Sequence, residues 1–257
     1  MSLEQFSLQG KVALVIGAGT PIGRAAALAL AEAGAEVAVA TMLPSKQEEA
    51  IVTACVAAIQ SLNRKSFART IDVTKEDDVA ALVQQTVTDL SCLDILINAL
   101  DLPFAKPLSA VSLAEWQRVL AVNLTGVYLT CRAVSMPMLA QQAGRIINIV
   151  SVLGERGMAN GSAYCAAQAG VLNLTRALSL EWARNGITVN AIGAGWTEGM
   201  GMIADEQIKQ QLTRYIPNRR LAQPDEISDA VVYLASDGTG FITGQVIWIE
   251  GGVLSRL

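Results

Sequence analysis

KVALVIGAGTPIG, residues 11–23, opens as an unbroken apolar run, stops at a glycine-rich turn and restarts as a helix. Residues 11–17 read as a strand buried on both faces, because a half-exposed strand would alternate polar with apolar residues. Gly17 and Gly19 permit a tight turn. Thr20-Pro21 is a helix start, with threonine as the cap and proline at the first helical position, where its missing N–H costs nothing. Residues 21–33 continue as an Ala-rich helix that Gly34 closes. A strand feeding a helix in this way leaves free N–H groups and the positive end of the helix dipole at the turn, a setting suited to an anion.

The same alternation continues outward from this unit. Strands are predicted at 36–41, 66–71, 93–98, 145–150, 187–192 and 245–249. Helices are predicted at 45–62, 75–90, 112–138 with an interruption near Pro137, 162–184 and 224–235. Apolar strands alternating with helices imply a parallel sheet covered on both faces, here one doubly wound α/β domain over residues 1–257 with seven strands. No repeat, linker or low-complexity segment divides it. Such sheets bind ligands beyond the carboxyl ends of their strands, so the informative residues follow each strand.

Composition removes several classes. With 52% hydrophobic and 16% charged residues, the chain reads as a packed globule rather than a disordered one. A net charge of −4 gives no basic patch for nucleic acid. Histidine is absent, which excludes Ser-His-Asp or Cys-His nucleophilic sites and His-ligated metal. Cys55, Cys92, Cys131 and Cys165 have no metal-ligand spacing and read as small apolar fillers in a reducing compartment. The first ten residues lack a signal-peptide core, and Glu32 and Glu36 interrupt the most apolar stretch. The expectation is a cytoplasmic protein without metal, membrane or nucleic-acid partner.

The residues after the strands carry a resemblance. Gly17, Ile22 and Gly23 resemble the Thr-Gly-x-x-x-Gly-Ile-Gly turn of the short-chain dehydrogenase/reductase family, and the likeness runs through the whole chain. It implies a Rossmann-type fold and NAD or NADP as cofactor, with Gly17, Ile22, Gly23, Asp72, Asn98, Gly195 and Thr197 as cofactor-binding positions. Asp72 is also placed to help start the helix that follows. Asn123, Ser151 and Tyr164 match the family's catalytic asparagine, serine and tyrosine, with the usual thirteen positions between the last two. The segment at about 196–220 resembles the family's substrate lid; Met200 and Met202 within it read as packing residues.

The departures gather at the same place. Pro21 replaces a glycine, and Asn98-Ala99-Leu100-Asp101 stands where the family has Asn-Asn-Ala-Gly. Ala194 replaces a proline, and Gln168 replaces the lysine one turn after the tyrosine. A free tyrosine has a pKa of about 10. A cation about 4 Å away is worth about 4 kcal/mol at an effective dielectric of about 20. Gln168 can hydrogen-bond but supplies no charge; Arg156 is the one nearby candidate to replace it. Asp101 would repel a pyrophosphate by a few kcal/mol at that same dielectric.

The expected function is therefore a degenerate dehydrogenase subunit. It would support an intact family subunit in a hetero-oligomer, a tetramer, oxidising or reducing a small hydroxy or keto substrate, an acyl-CoA among them. Its contacts would run through residues 112–138 and 162–184, where Ala166, Ala169 and Gly170 permit close packing, and through the last strand. The alternatives are an active oxidoreductase using Tyr164 and Ser151 with Gln168, and a nucleotide or metabolite sensor without chemistry. The residue after the second strand, Thr41-Met42, does not choose between NAD and NADP.

Overall fold

The computed structural model describes residues 3–255 except 202 and 204, so the packing expected of Met202 lies outside the described residues. Seven parallel strands form one sheet. In chain order they are β1 (Val12–Ile16), β2 (Glu36–Ala40), β3 (Ser66–Arg69), β4 (Ile95–Asn98), β5 (Gly144–Ser151), β6 (Ile187–Ala194) and β7 (Val246–Ile249). Across the sheet the order is β3-β2-β1-β4-β5-β6-β7, so the winding reverses between β1 and β4. That reversal opens a crevice at the carboxyl ends of the two strands.

Strand side chains point alternately to opposite faces. Leu14 and Ile16 join Leu82, Leu96 and Val134 on one side. Ala13 and Val15 join Leu30, Ile97 and Val231 on the other. The helices covering these cores are α1 (Pro21–Glu32), α2 (Lys46–Ser61), α3 (Glu76–Leu90), α4 (Leu113–Leu120), α5 (Gly126–Gln141), α6 (Ser162–Trp182), α7 (Glu206–Tyr215) and α8 (Pro224–Ala235). The Thr20 hydroxyl accepts from the Gly23 N–H and Pro21 takes the first turn, as residues 20 and 21 foretell.

One expectation needs correction. The long helix predicted over 112–138 is interrupted not at Pro137, which lies inside α5, but at a π-turn, Ala121–Thr125. Pro137 falls in the second half of a helix that continues to Gln141, whereas the π-turn wraps around Asn123. The composite stretch Leu113–Gln141 is apolar and long enough to cross a bilayer, yet half of that window is buried inside this fold. The lid-like segment contains α7, where no helix is predicted, and its Lys209 pairs with Glu198 at 2.7 Å.

Candidate active site

The glycine turn is held by the fold itself. Gly17 has φ +84°, and a Cβ there would lie 2.2 Å from the Ala99 carbonyl oxygen. A Cβ on Gly23 would lie 2.2 Å from the Gly17 carbonyl oxygen. Both glycines are therefore required for β1, α1 and the β4 exit to meet, whether or not a phosphate binds. Ile22 is buried against the core and its edge lines the groove.

Past the reversal point the groove is lined by Pro21, Leu100, Asp101, Ser151, Tyr164 and Gln168, with Met200 from the lid. Its central reaction pair is new. The Tyr164 hydroxyl donates to Asp101 Oδ1 at 2.7 Å. Burial raises the Asp101 carboxyl above its ordinary range, against the opposing hydrogen bond from Tyr164. Burial, then the charge and hydrogen bond of Asp101, drive the Tyr164 phenol well above 10, and the Ser151 hydroxyl opposes this too weakly. Burial disfavours the charged form of each group, which is why both shifts run upward.

Gln168 lines the groove and is also anchored in the fold. Its side-chain oxygen accepts from the Ser151 backbone N–H at 2.9 Å, which ties α6 to the end of β5. Arg156 does not supply the missing cation: it donates to the Val253 carbonyl at 2.6 Å and to the Tyr215 hydroxyl at 3.1 Å. Among the described residues lining the groove none is Lys or Arg. The Ser151 hydroxyl accepts from the Leu153 N–H at 3.2 Å and stands beside the tyrosine.

Several expected site residues serve the scaffold. Asn123 accepts from the Leu102 N–H at 2.8 Å and donates to the Leu102 and Val119 carbonyls at 2.9 and 3.1 Å. It positions the strand exit that carries Asp101 and makes none of these bonds to Ser151 or Tyr164. Asn98 is turned into the core, donating to Asn148 at 2.9 Å and accepting from Thr130 at 2.7 Å, so it does not face the groove. Asp72 accepts from the Thr74 N–H and hydroxyl at 3.0 and 2.6 Å, which turns the chain into α3. Gly195 is crowded by Glu250, where a Cβ would come within 2.7 Å of Cα, and the buried Thr197 donates to the Gly195 carbonyl at 3.1 Å.

Sequence reasoning foresaw Asp101 as an intruding charge but not its bond to Tyr164. The signal that could have found it is the pairing of a new acid with a lost base in one constellation.

Fit to a dinucleotide divides along the groove. The groove between Tyr164, Pro21 and Met200 is open on one side and holds about 390 Å³ of empty space. A Cβ on Gly199 of the lid would sit 3.0 Å from the Pro21 ring, so the lid rests on that proline. Beside Tyr164 the lining departs from the family pattern at Pro21, Leu100, Asp101 and Gln168, whereas Gly17 and Gly23 keep the shape of the turn. No cluster of residues able to hold a metal ion exists among the described residues.

The family described as Enoyl-(Acyl carrier protein) reductase matches residues 17–254. A cis-4-hydroxycyclohexanecarboxylate dehydrogenase of Sinomonas cyclohexanicum is 36% identical, covering 94% of this chain and 96% of its own length. A 3-oxoacyl-[acyl-carrier-protein] reductase of Synechocystis is 37% identical, with coverage of 96% and 98%. Among solved structures, a gluconate 5-dehydrogenase of Burkholderia cenocepacia in complex with NADP and tartrate superimposes with TM-score 0.92 at 30% identity over 100% of both chains. A short-chain type dehydrogenase/reductase of Mycobacterium marinum gives 0.92 at 33% identity over 99% of both.

Proposed function

Because this chain belongs to the short-chain dehydrogenase/reductase family of oxidoreductases, its rebuilt catalytic end calls for a reason, and we propose that it serves as a non-catalytic subunit. In this reading it assembles with an intact family subunit and supports that partner's NAD(P)-dependent oxidation or reduction of a hydroxy or keto substrate, an acyl-CoA thioester among the candidates. The arrangement would resemble that of the two-subunit hydroxy(phenyl)methylsuccinyl-CoA dehydrogenase. The observation that carries the reading is the Tyr164–Asp101 bond in a buried site with no lining cation. A tyrosine acting as base must ionise near neutral pH. Here burial and a neighbouring carboxyl both oppose that.

The surface supports assembly. Tyr128 and Met136 on α5, Leu180 on α6 and Phe241 before β7 are exposed large apolar residues. They lie on the elements through which the family resemblance places subunit contacts. Ala166 and Ala169 are exposed on α6 and permit close approach. Gly170 instead makes room for Leu124 within the chain, since a Cβ there would be 2.9 Å from its methyl.

The test is turnover by the purified chain, with NAD(H) and NADP(H), on hydroxy and keto acids, alcohols and acyl thioesters. None is expected from the chain alone. Hydride transfer that disappears in Tyr164→Phe would instead establish an active oxidoreductase. That second reading is favoured by one observation: Ser151 and Tyr164 do stand together, and a neutral tyrosine is the form needed to protonate a reduced carbonyl.

A further inference from the structure

At the exit of β2, beside Gly19 of the glycine turn, stands a carboxylate delivered by an unexpected element. Helix α2 begins after its Ser45 cap, and Glu48 lies in its first turn. Glu48 Oε2 accepts from the Met42 N–H at 2.9 Å, just beyond the carboxyl end of β2. A Cβ on Gly19 would lie 2.7 Å from Glu48 Cγ and 3.0 Å from Oε2. The side chain thus spans from the exit of β2 to the middle of the glycine turn, and glycine at 19 is what leaves it room.

In a doubly wound sheet that corner receives the adenosine ribose. An acid there accepts the ribose hydroxyls, whereas a basic side chain accommodates a 2′-phosphate. The selecting residue normally closes the second strand. Here Thr41 is fully buried and its hydroxyl is committed to Ile71, donating to the carbonyl at 3.1 Å and accepting from the N–H at 3.0 Å. Neither residues 17–23 nor residues 41–45 include Lys or Arg.

We infer that Glu48 is the ribose-selecting residue of this chain and that its groove prefers 5′-adenosine phosphates lacking a 2′-phosphate. A ribose hydroxyl can donate to the carboxylate, forming a charge-assisted hydrogen bond. A 2′-phosphate brings nearly two negative charges to the same oxygens and has no donor to offer. The selection is independent of the chemistry proposed to be lost, because neither Glu48 nor Gly19 lines the groove around Tyr164 and Asp101.

Calorimetric titration of the whole chain with 5′-AMP and with adenosine 2′,5′-bisphosphate, which differ only in the 2′-phosphate, tests the assignment. AMP should bind at least about tenfold more tightly, as expected for one close like-charge contact at a half-exposed site. Glu48→Gln should close most of that gap while keeping the thermal unfolding transition. Gly19→Ala, which displaces Glu48 without removing it, should narrow it too. Equal affinities in the unaltered chain, tighter binding of the bisphosphate, an unchanged gap in Glu48→Gln, or no binding of either ligand at millimolar concentration would each overturn the assignment. None of these outcomes touches the proposed loss of catalysis, which fails only on turnover.

Discussion

At the scale of single residues, the proposed loss of catalysis rests on the Tyr164–Asp101 pair. Each group depends on the other for its hydrogen bond. Tyr164→Phe removes the donor and leaves the half-buried Asp101 without it, so the variant should lose about 1–3 kcal/mol of stability in urea unfolding. In an enzyme whose tyrosine faces a substrate, the same change would cost activity with little stability. The carboxyl also sets a pH dependence. Its pKa in the folded chain is raised above its ordinary value. A group shifted this way contributes fully below its unfolded pKa and loses its contribution as pH rises through the folded one. Melting temperatures from about pH 4 to about pH 8 should therefore fall for the unaltered protein relative to Asp101→Asn. Parallel curves would mean that Asp101 is ionised throughout. The presence of an acid at 101 was legible in the sequence. Its partner was not, because a bond over sixty-three positions depends on how the exit of β4 leans against α6.

At the scale of elements, the π-turn between α4 and α5 is held by the motif residue at its centre. Asn123 uses both ends of its amide on Leu102 and Val119. Asn123→Ala leaves the Leu102 N–H and carbonyl without those partners, at a cost of about 1–3 kcal/mol per buried group left unpaired. Hydrogen exchange should quicken at residues 99–102 before it does in the strands; uniform loosening of the whole sheet would count against a local brace. Most element boundaries were readable from apolar period and caps, as at Thr20-Pro21, whose cap forms as expected. The π-turn was not readable, because the extra residue is accommodated by tertiary hydrogen bonds and proline is the stronger local signal. Helix α7 was missed for a related reason. It is short and polar overall, and its apolar stripe is only three residues long, Ile208, Leu212 and Tyr215.

At the scale of the whole molecule, the exposed apolar residues of α5, α6 and the approach to β7 predict association. Replacing Leu180 and Phe241, both largely exposed, by Lys and Asp should shift sedimentation toward the monomer without lowering the melting temperature of the monomer. No change in mass would place the subunit contacts elsewhere. The amino-acid sequence by itself determined the order of strands and helices, the parallel doubly wound sheet and the family, because these follow from local periodicity, turn chemistry and short motifs that each occupy a few consecutive residues. Only the tertiary structure decided which motif residues face the groove. It turned Asn98 into the core and gave Gln168 to the Ser151 backbone, and it set Asp101 on Tyr164 and Glu48 beside Gly19. The physical reason is that hydrogen bonding and ionisation in a buried site depend on distances and solvent exclusion between residues far apart in the chain, which no local pattern encodes.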